Sequence, residues 1–289
     1  QCLVGSEMCI RDRRRGRVGP ADRGGPARRP ALGRARQLTE RVEAPASPAI
    51  PRVVIADNPG PFTLDGTRTH IVGSRNVAVV DPGPDEIPHV ERLREALGGA
   101  DSVVILVTHG HADHSGGAER LGRALAAEVR GFGPGARPFS PGESVFTDAG
   151  SLVPLLTPGH TRDHYAFHWP EARAVFPGDL ILGSGDTTWV AEYPGCVADY
   201  LASLDALERT GADVLFPAHG PALEDAGEVV RRFRLHRIAR VAQVEAALEV
   251  QPDSTLSELL DSVYGPSIPE GVREAAGRSL EAILHHLGR

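Results

Sequence analysis

Residues 106–117, LVTHGHADHSGG, set His109, His111, Asp113 and His114 within six positions at the mouth of an apolar run. Neutral imidazoles and a carboxylate are the ligand set of Zn²⁺ and related divalent cations. In extended backbone alternate side chains share a face, so His109 and His111 point the same way. Asp113 and His114 follow in a turn that can fold them back towards the pair. One open catalytic cation usually takes three protein ligands, so four candidates in one turn point to two cations. Three further groups each stand just past an apolar predicted strand and beside Pro or Gly: His160 in LLTPGHT, Asp179 in VFPGDLI and His219 in VLFPAHG. Together they suffice for two cations and a shared carboxylate.

These groups need rigid elements to hold them. RVVIAD, THIVG and VAVVDPG (from residues 52, 69 and 77) read as strands closed by turn residues. DEIPHVERLREALGG, from 85, reads as a helix stopped by Gly98. SVVILVT, from 102, is a buried strand by its unbroken apolar character. SGGAERLGRALAAE, from 115, reads as a helix with Ser115 as N-cap. SLVPLLTPGH, HYAFHWP and RAVFPGD give three more strands. VADYLASLDALERTG is a helix, ADVLFPAHG a strand and loop, and a long amphipathic helix is expected over 226–249. Strands that come first in pairs and then alternate with helices predict sheets covered by helices, a layered α/β or mixed domain.

The chain has 289 residues and is 41% apolar, enough for a sizeable core. No apolar run reaches the roughly 18 residues a membrane span needs, so a soluble protein without a membrane partner is expected. All 31 basic residues are Arg. Residues 1–49 hold 11 Arg against 5 acidic residues, while the rest is acidic enough to bring the whole to −7. An acidic body disfavours non-specific attraction to nucleic acid. Cys2, Cys9 and Cys196 make no disulfide framework, which fits a reducing, cytoplasmic location. The Arg-, Gly- and Pro-rich residues 1–49 read as a disordered or non-native segment.

THGHADH, TPGHT, PGD and PAHG, in this order, resemble the metallo-β-lactamase superfamily from about residue 52 to 235. The resemblance implies an α+β fold, an αββα sandwich. It implies that His109, His111 and His160 hold one metal, that Asp113, His114 and His219 hold a second, and that Asp179 bridges them. Asp81, in VVDPG, either orients a ligand histidine or caps its own turn. TPGHTRDH, GDLILG, YLASLDAL and PAHGP, followed by RRFRLHRIAR, are similar to the β-lactamase-like-protein-2 group. That similarity implies a catalytic domain over 50–235 and a winged-helix-like domain over 236–289, with helices near 236–249, 255–264 and 270–287. The group's wing would follow the last helix, and the chain stops at Arg289 before it.

The chemistry expected is hydrolysis by a metal-bridging hydroxide, with two divalent cations, Zn²⁺ first and Fe or Mn also suited. Asp113 would orient the hydroxide or take its proton. His164 would contact a scissile oxygen or leaving group. The resemblance leans towards single-stranded RNA as substrate, and Arg231, Arg234, Arg237 and Arg240, with Arg232, would grip its phosphates. A small ester or thioester, cleaved as glyoxalase II does, is the rival substrate. A rival of another class is a non-hydrolytic nucleic-acid-binding module with a structural metal. Iron redox chemistry is a third reading. The loop GDTTWVAEYPGC (185–196) is expected near the metals, with Trp189 and Tyr193 either stacking on substrate or packing as a lid. Nothing in the sequence fixes oligomeric state.

Overall fold

Each central strand divides its side chains between two apolar layers. In β3 (Asn76–Val80), Val77 and Val79 face one layer and Ala78 and Val80 the other. In β4 (Ser102–Leu106), Ile105 and Leu106 divide the same way. This is the period-two alternation of a strand covered on both faces. The computed structural model describes residues 50–267 and 270–289; the expectation for 1–49 lies outside them. One sheet runs β1 (Arg52–Ile55), β2 (Arg68–Val72), β3, β4, β5 (Glu128–Arg130) in spatial order. The other contains β6 (Val145–Thr147), β7 (Gly150–Leu156), β8 (Tyr165–Trp169), β9 (Ala174–Phe176), β10 (Val214–Leu215) and β11 (Leu223–Glu224), again neighbour to neighbour. Phe167, Trp169 and Phe176 of the second sheet pack on Val72, Val80 and Leu106 of the first. Helices α1 (Ile87–Ala96) and α3 (Ala118–Leu125) cover the first sheet through Val90, Leu93 and Leu121. Helices α4 (Cys196–Arg209) and α5 (Ala226–Val250) cover the second through Tyr200, Leu204, Val230 and Phe233. The result is the expected α+β sandwich, αββα.

The long helix expected over 226–249 is α5, and it runs through residues 235 and 236 without a break. Helices α6 (Leu256–Tyr264) and α7 (Glu270–His286) follow. Leu259, Leu260, Leu280 and Ile283 of these helices share one apolar cluster with Tyr200 and Phe233. No strand follows α7 among the described residues, so they contain no wing. No helix among them is long and apolar enough to cross a membrane.

Two local readings are corrected. Ser115 does not cap α3; it ends the short α2 (Ala112–Ser115), and its hydroxyl donates to the carbonyls of Gly110 and His111. The expected helix to residue 128 stops at Leu125, because Ala126 turns left-handed (φ 50) and returns the chain as β5 beside β4.

His70 of β2 ties the first sheet to the loop that carries His219. Its Nε2 lies 3.0 Å from the Pro217 carbonyl, and the ring packs against Phe176 and Phe216. Burial pushes this imidazole down to about 4. The unfolded chain takes up the proton near the ordinary value of about 6.5. The stability contributed by neutral His70 is therefore full above pH 6.5 and drains as pH falls towards 4, a loss of about 3 kcal/mol. Urea unfolding at pH 7 and pH 5 should show this slope in the wild type and a flatter one in His70→Gln. Equal slopes would contradict it.

Candidate metal centre

Strands β7, β9 and β10 run the same way, since β7 and β9 both oppose β8 and β10 lies parallel to β9. Their C-terminal ends therefore meet on one edge, where His160, Asp179 and His219 leave the sheet. Residues 109–114 join them from the end of β4. Three groups of converging ligand atoms result: His109, His111 and His160; His109, His114 and Asp179; Asp113, His114 and His219. His111 Nδ1 stands 2.9 Å from His109 Nε2 and 3.1 Å from His160 Nε2. His219 Nε2 stands 3.2 Å from His114 Nε2 and 3.3 Å from Asp113 Oδ2. Asp179 lies between the two sets. Its Oδ1 is 3.4 Å from both His114 and His219, and its Oδ2 is 3.6 Å from His160. The seven residues expected from the sequence are thus together.

Whether this set fits two cations is tested by what surrounds it. Asp179 Oδ1 is buried with no hydrogen-bond partner. Burial pushes the His109 and His160 imidazoles below their ordinary range, which keeps them neutral as ligation requires. Burial also works against a proton on His114, but the carboxylates of Asp179 and Asp81 outweigh it and hold that imidazole up. The Asp179 carboxyl, which burial alone would raise, is held well below its usual range by His114 and His219. The same donors that compete for a proton can be satisfied by cations, and the set fits two.

Surrounding groups fix the tautomers. His114 Nδ1–H donates to Asp81 Oδ2 at 2.9 Å. The Thr108 N–H and hydroxyl donate to the same carboxylate, and Thr108 Oγ1 lies 3.0 Å from His109 Nδ1. Asp81 thus orients one ligand directly and a second through Thr108, the ligand-orienting alternative of the two readings. The loop 185–196 does the same from the other side. The Trp189 carbonyl accepts from His160 Nδ1 at 2.9 Å, and Glu192 Oε1 accepts from His111 Nε2 at 2.7 Å. Arg237 of α5, only 3% exposed, donates to the Thr188 carbonyl, and the Thr188 hydroxyl donates to the Asp179 carbonyl. Glu192 and Arg237 were not legible as parts of the site; only the loop around Glu192 was expected there.

A cavity of about 430 Å³ opens onto the centre, lined in part by His111, Asp113, Asp179, Trp189 and Glu192. Asp113 is placed as expected, on the centre and open to the cavity. Its carboxyl is held below the usual value by His219 and His114, although burial pushes it up. His164 is corrected. It is wholly buried, its Nδ1 donates to Thr157 Oγ1, and its Nε2 accepts the Asp179 N–H. It holds the Asp179 backbone and does not line the cavity. Tyr193 packs too: its hydroxyl donates to Asp199, and Arg162 lies over its ring. Three members of the arginine ladder, Arg234, Arg237 and Arg240, are engaged within the fold, while Arg231 and Arg232 stay exposed. Arg231 pairs with Glu228, Arg234 with Asp205 and Glu208, Arg237 is buried, and Arg240 donates to Gln243 and the Val263 carbonyl. Arg232 lies over the Phe233 ring.

Comparison with known proteins agrees with this fold. The family described as the metallo-beta-lactamase superfamily matches residues 69–150 and 133–219. A beta-lactamase-like protein 2 homolog from Caenorhabditis elegans is 31% identical, over 83% of this chain and 84% of its own. An atrochrysone carboxyl ACP thioesterase from Aspergillus chevalieri is 32% identical, over 78% and 77%. A beta-lactamase domain protein from Burkholderia ambifaria, 19% identical, shares the fold with a TM-score of 0.71 over 86% of this chain and 90% of its own. The chain belongs to the metallo-β-lactamase superfamily and is a hydrolase of that class.

Proposed function

We propose that this chain is a dinuclear-metal-dependent thioester hydrolase, with zinc the first choice of metal. His109, His111 and His160 would hold one cation, Asp113, His114 and His219 the other, and Asp179 both. When bound, two such cations supply a water activated at neutral pH and polarise the attacked carbonyl. Asp113, ionised and open to the cavity, is the group that orients the attacking water and takes its proton.

The observation that carries the choice of substrate is the withdrawal of His164. Among the described residues the imidazoles lining the cavity are His111 and His160, both of the metal-facing set, so no free imidazole among them reaches a leaving group. A thiol, with an ordinary pKa of about 8.5, leaves as a thiolate without a general acid; an alkoxide from an RNA phosphodiester calls for one. The engaged arginines of α5 weigh against a phosphate track, and the thioesterase name of a relative at 32% identity supports the same reading. Opening of the centre onto a cavity speaks against a purely structural metal, since structural zinc sites are closed.

The test uses the full chain, incubated with an S-acyl-N-acetylcysteamine thioester and with a labelled single-stranded RNA, each with and without chelator. Thioester turnover that the chelator abolishes, with intact RNA, is expected. Chelator-sensitive RNA cleavage without thioester turnover would overturn the thioester reading.

A further inference from the structure

The cavity has a second wall that the metal centre does not use. Arg278 of α7 lines it, exposed, with its guanidinium carbon 5.3 Å from the centre of the Trp189 ring. Phe62, 62% exposed, meets Trp189 edge-on at 6.4 Å between ring centres. Arg278 makes no ion pair or hydrogen bond among the described residues, whereas most of the other arginines of α5 and α7 find a carboxylate or a carbonyl. It follows the buried Gly277 directly and stands two residues before the buried Leu280, so packing of the opposite side of α7 fixes the helix face that presents it. A guanidinium that stacks on an aromatic ring keeps its edge donors free for a planar or tetrahedral anion.

We infer that Arg278, with Trp189 and Phe62, forms a subsite for an anionic group, a carboxylate or a phosphate, carried by the substrate at a distance from the bond that is cleaved. This inference rests on the thioester reading for the identity of that bond. Glu274, one turn earlier on α7, lines the same cavity. Its charge repels an anion held directly against it, which confines the anionic group to the Arg278–Trp189 end. Glu274 also offers an acceptor for an N–H along the arm that joins the two ends of the substrate. The helix that extends past the sandwich thereby acts on substrate choice, a role separate from packing α4 and α5. Arg278 acts as a specificity-determining residue, because it touches substrate but not the reacting atoms.

Binding of inert analogues tests the subsite without requiring turnover. Three N-acylcysteamine thioethers, ending in a carboxylate, a phosphate or a neutral amide, are titrated into the wild type while the fluorescence of Trp189 is followed. Trp169, the other tryptophan, is buried in the inter-sheet core. The anionic analogues should bind about tenfold more tightly than the amide, as one charge-assisted pair provides. Arg278→Gln should remove that preference, and Arg278→Lys should keep part of it. The stronger of the two anionic arms identifies the group the substrate carries. Equal affinity for all three analogues, no binding of any, or a preference that survives in Arg278→Gln would overturn the inference. Loss of thioester turnover in the assay above, with the binding preference intact, would overturn only the thioester reading.

Discussion

Asp179→Asn should strip the centre of at least one metal and all but stop hydrolysis while the fold persists. If Asp179 serves both cations as proposed, metal per chain is expected to fall from two to one or none, and kcat/KM by at least about a thousandfold, because activation of water would depend on the cations it holds. The physical reason lies in its position. Oδ1 faces His114 and His219, and Oδ2 faces His160, so among the described residues this is the one carboxylate that reaches both ligand sets. An amide supplies one neutral oxygen in place of two charged ones. Its backbone partners, the Thr188 hydroxyl and His164 Nε2, do not depend on the carboxylate, so the loop keeps its course. Elemental analysis and steady-state kinetics on the folded variant check this. Two retained metals with normal turnover would contradict the bridging role.

Gly159→Ala should cost roughly 2–6 kcal/mol and disturb His160 beside it. Gly159 sits at φ 139, a left-handed conformation that side chains rarely adopt. That strain costs about 1–3 kcal/mol. A Cβ there would also lie 2.6 Å from Tyr200 Cα and 2.9 Å from its backbone nitrogen. Those are backbone atoms of α4 that cannot turn aside, and overpacking adds about 1–3 kcal/mol. Relief by moving residues 158–160 would pull His160 away from His111 and from the Trp189 carbonyl. Urea denaturation with metal analysis reads both effects. Wild-type stability with two bound metals would show that the turn tolerates a side chain.

Much of the centre was legible because its ligands stand just beyond apolar strands, where a strand must end and its next side chains face the sheet edge. His109, His111, Asp113, His114, His160, Asp179 and His219 follow from that position and from their types. Strands β5, β6 and β11 escaped because they are only two or three residues long and, unlike the equally short β9 and β10, do not run into a Pro-marked turn. Glu192 escaped because it lies 81 residues from His111, and only the tertiary fold brings them together. His164 was misread because spacing four residues after a ligand says nothing of which way the ring turns; just before β8 it turns inward, beneath His109 and the Asp179 backbone. Arg234, Arg237 and Arg240 of α5 were misread because a run of like charges on one helix does not reveal the acids of α4 and the carbonyls packed against it. Arg278 had no signal at all, since nothing local shows that α7 reaches the cavity.

The most direct measurement is metal bound per folded chain, by elemental analysis of the 289-residue chain purified without chelator. Two divalent ions per chain, falling to at most one in His111→Ala, are predicted from the paired ligand sets. A folded chain that binds no divalent ion when supplied with zinc, iron or manganese would contradict the central claim that residues 109–114, His160, Asp179 and His219 form a dinuclear centre.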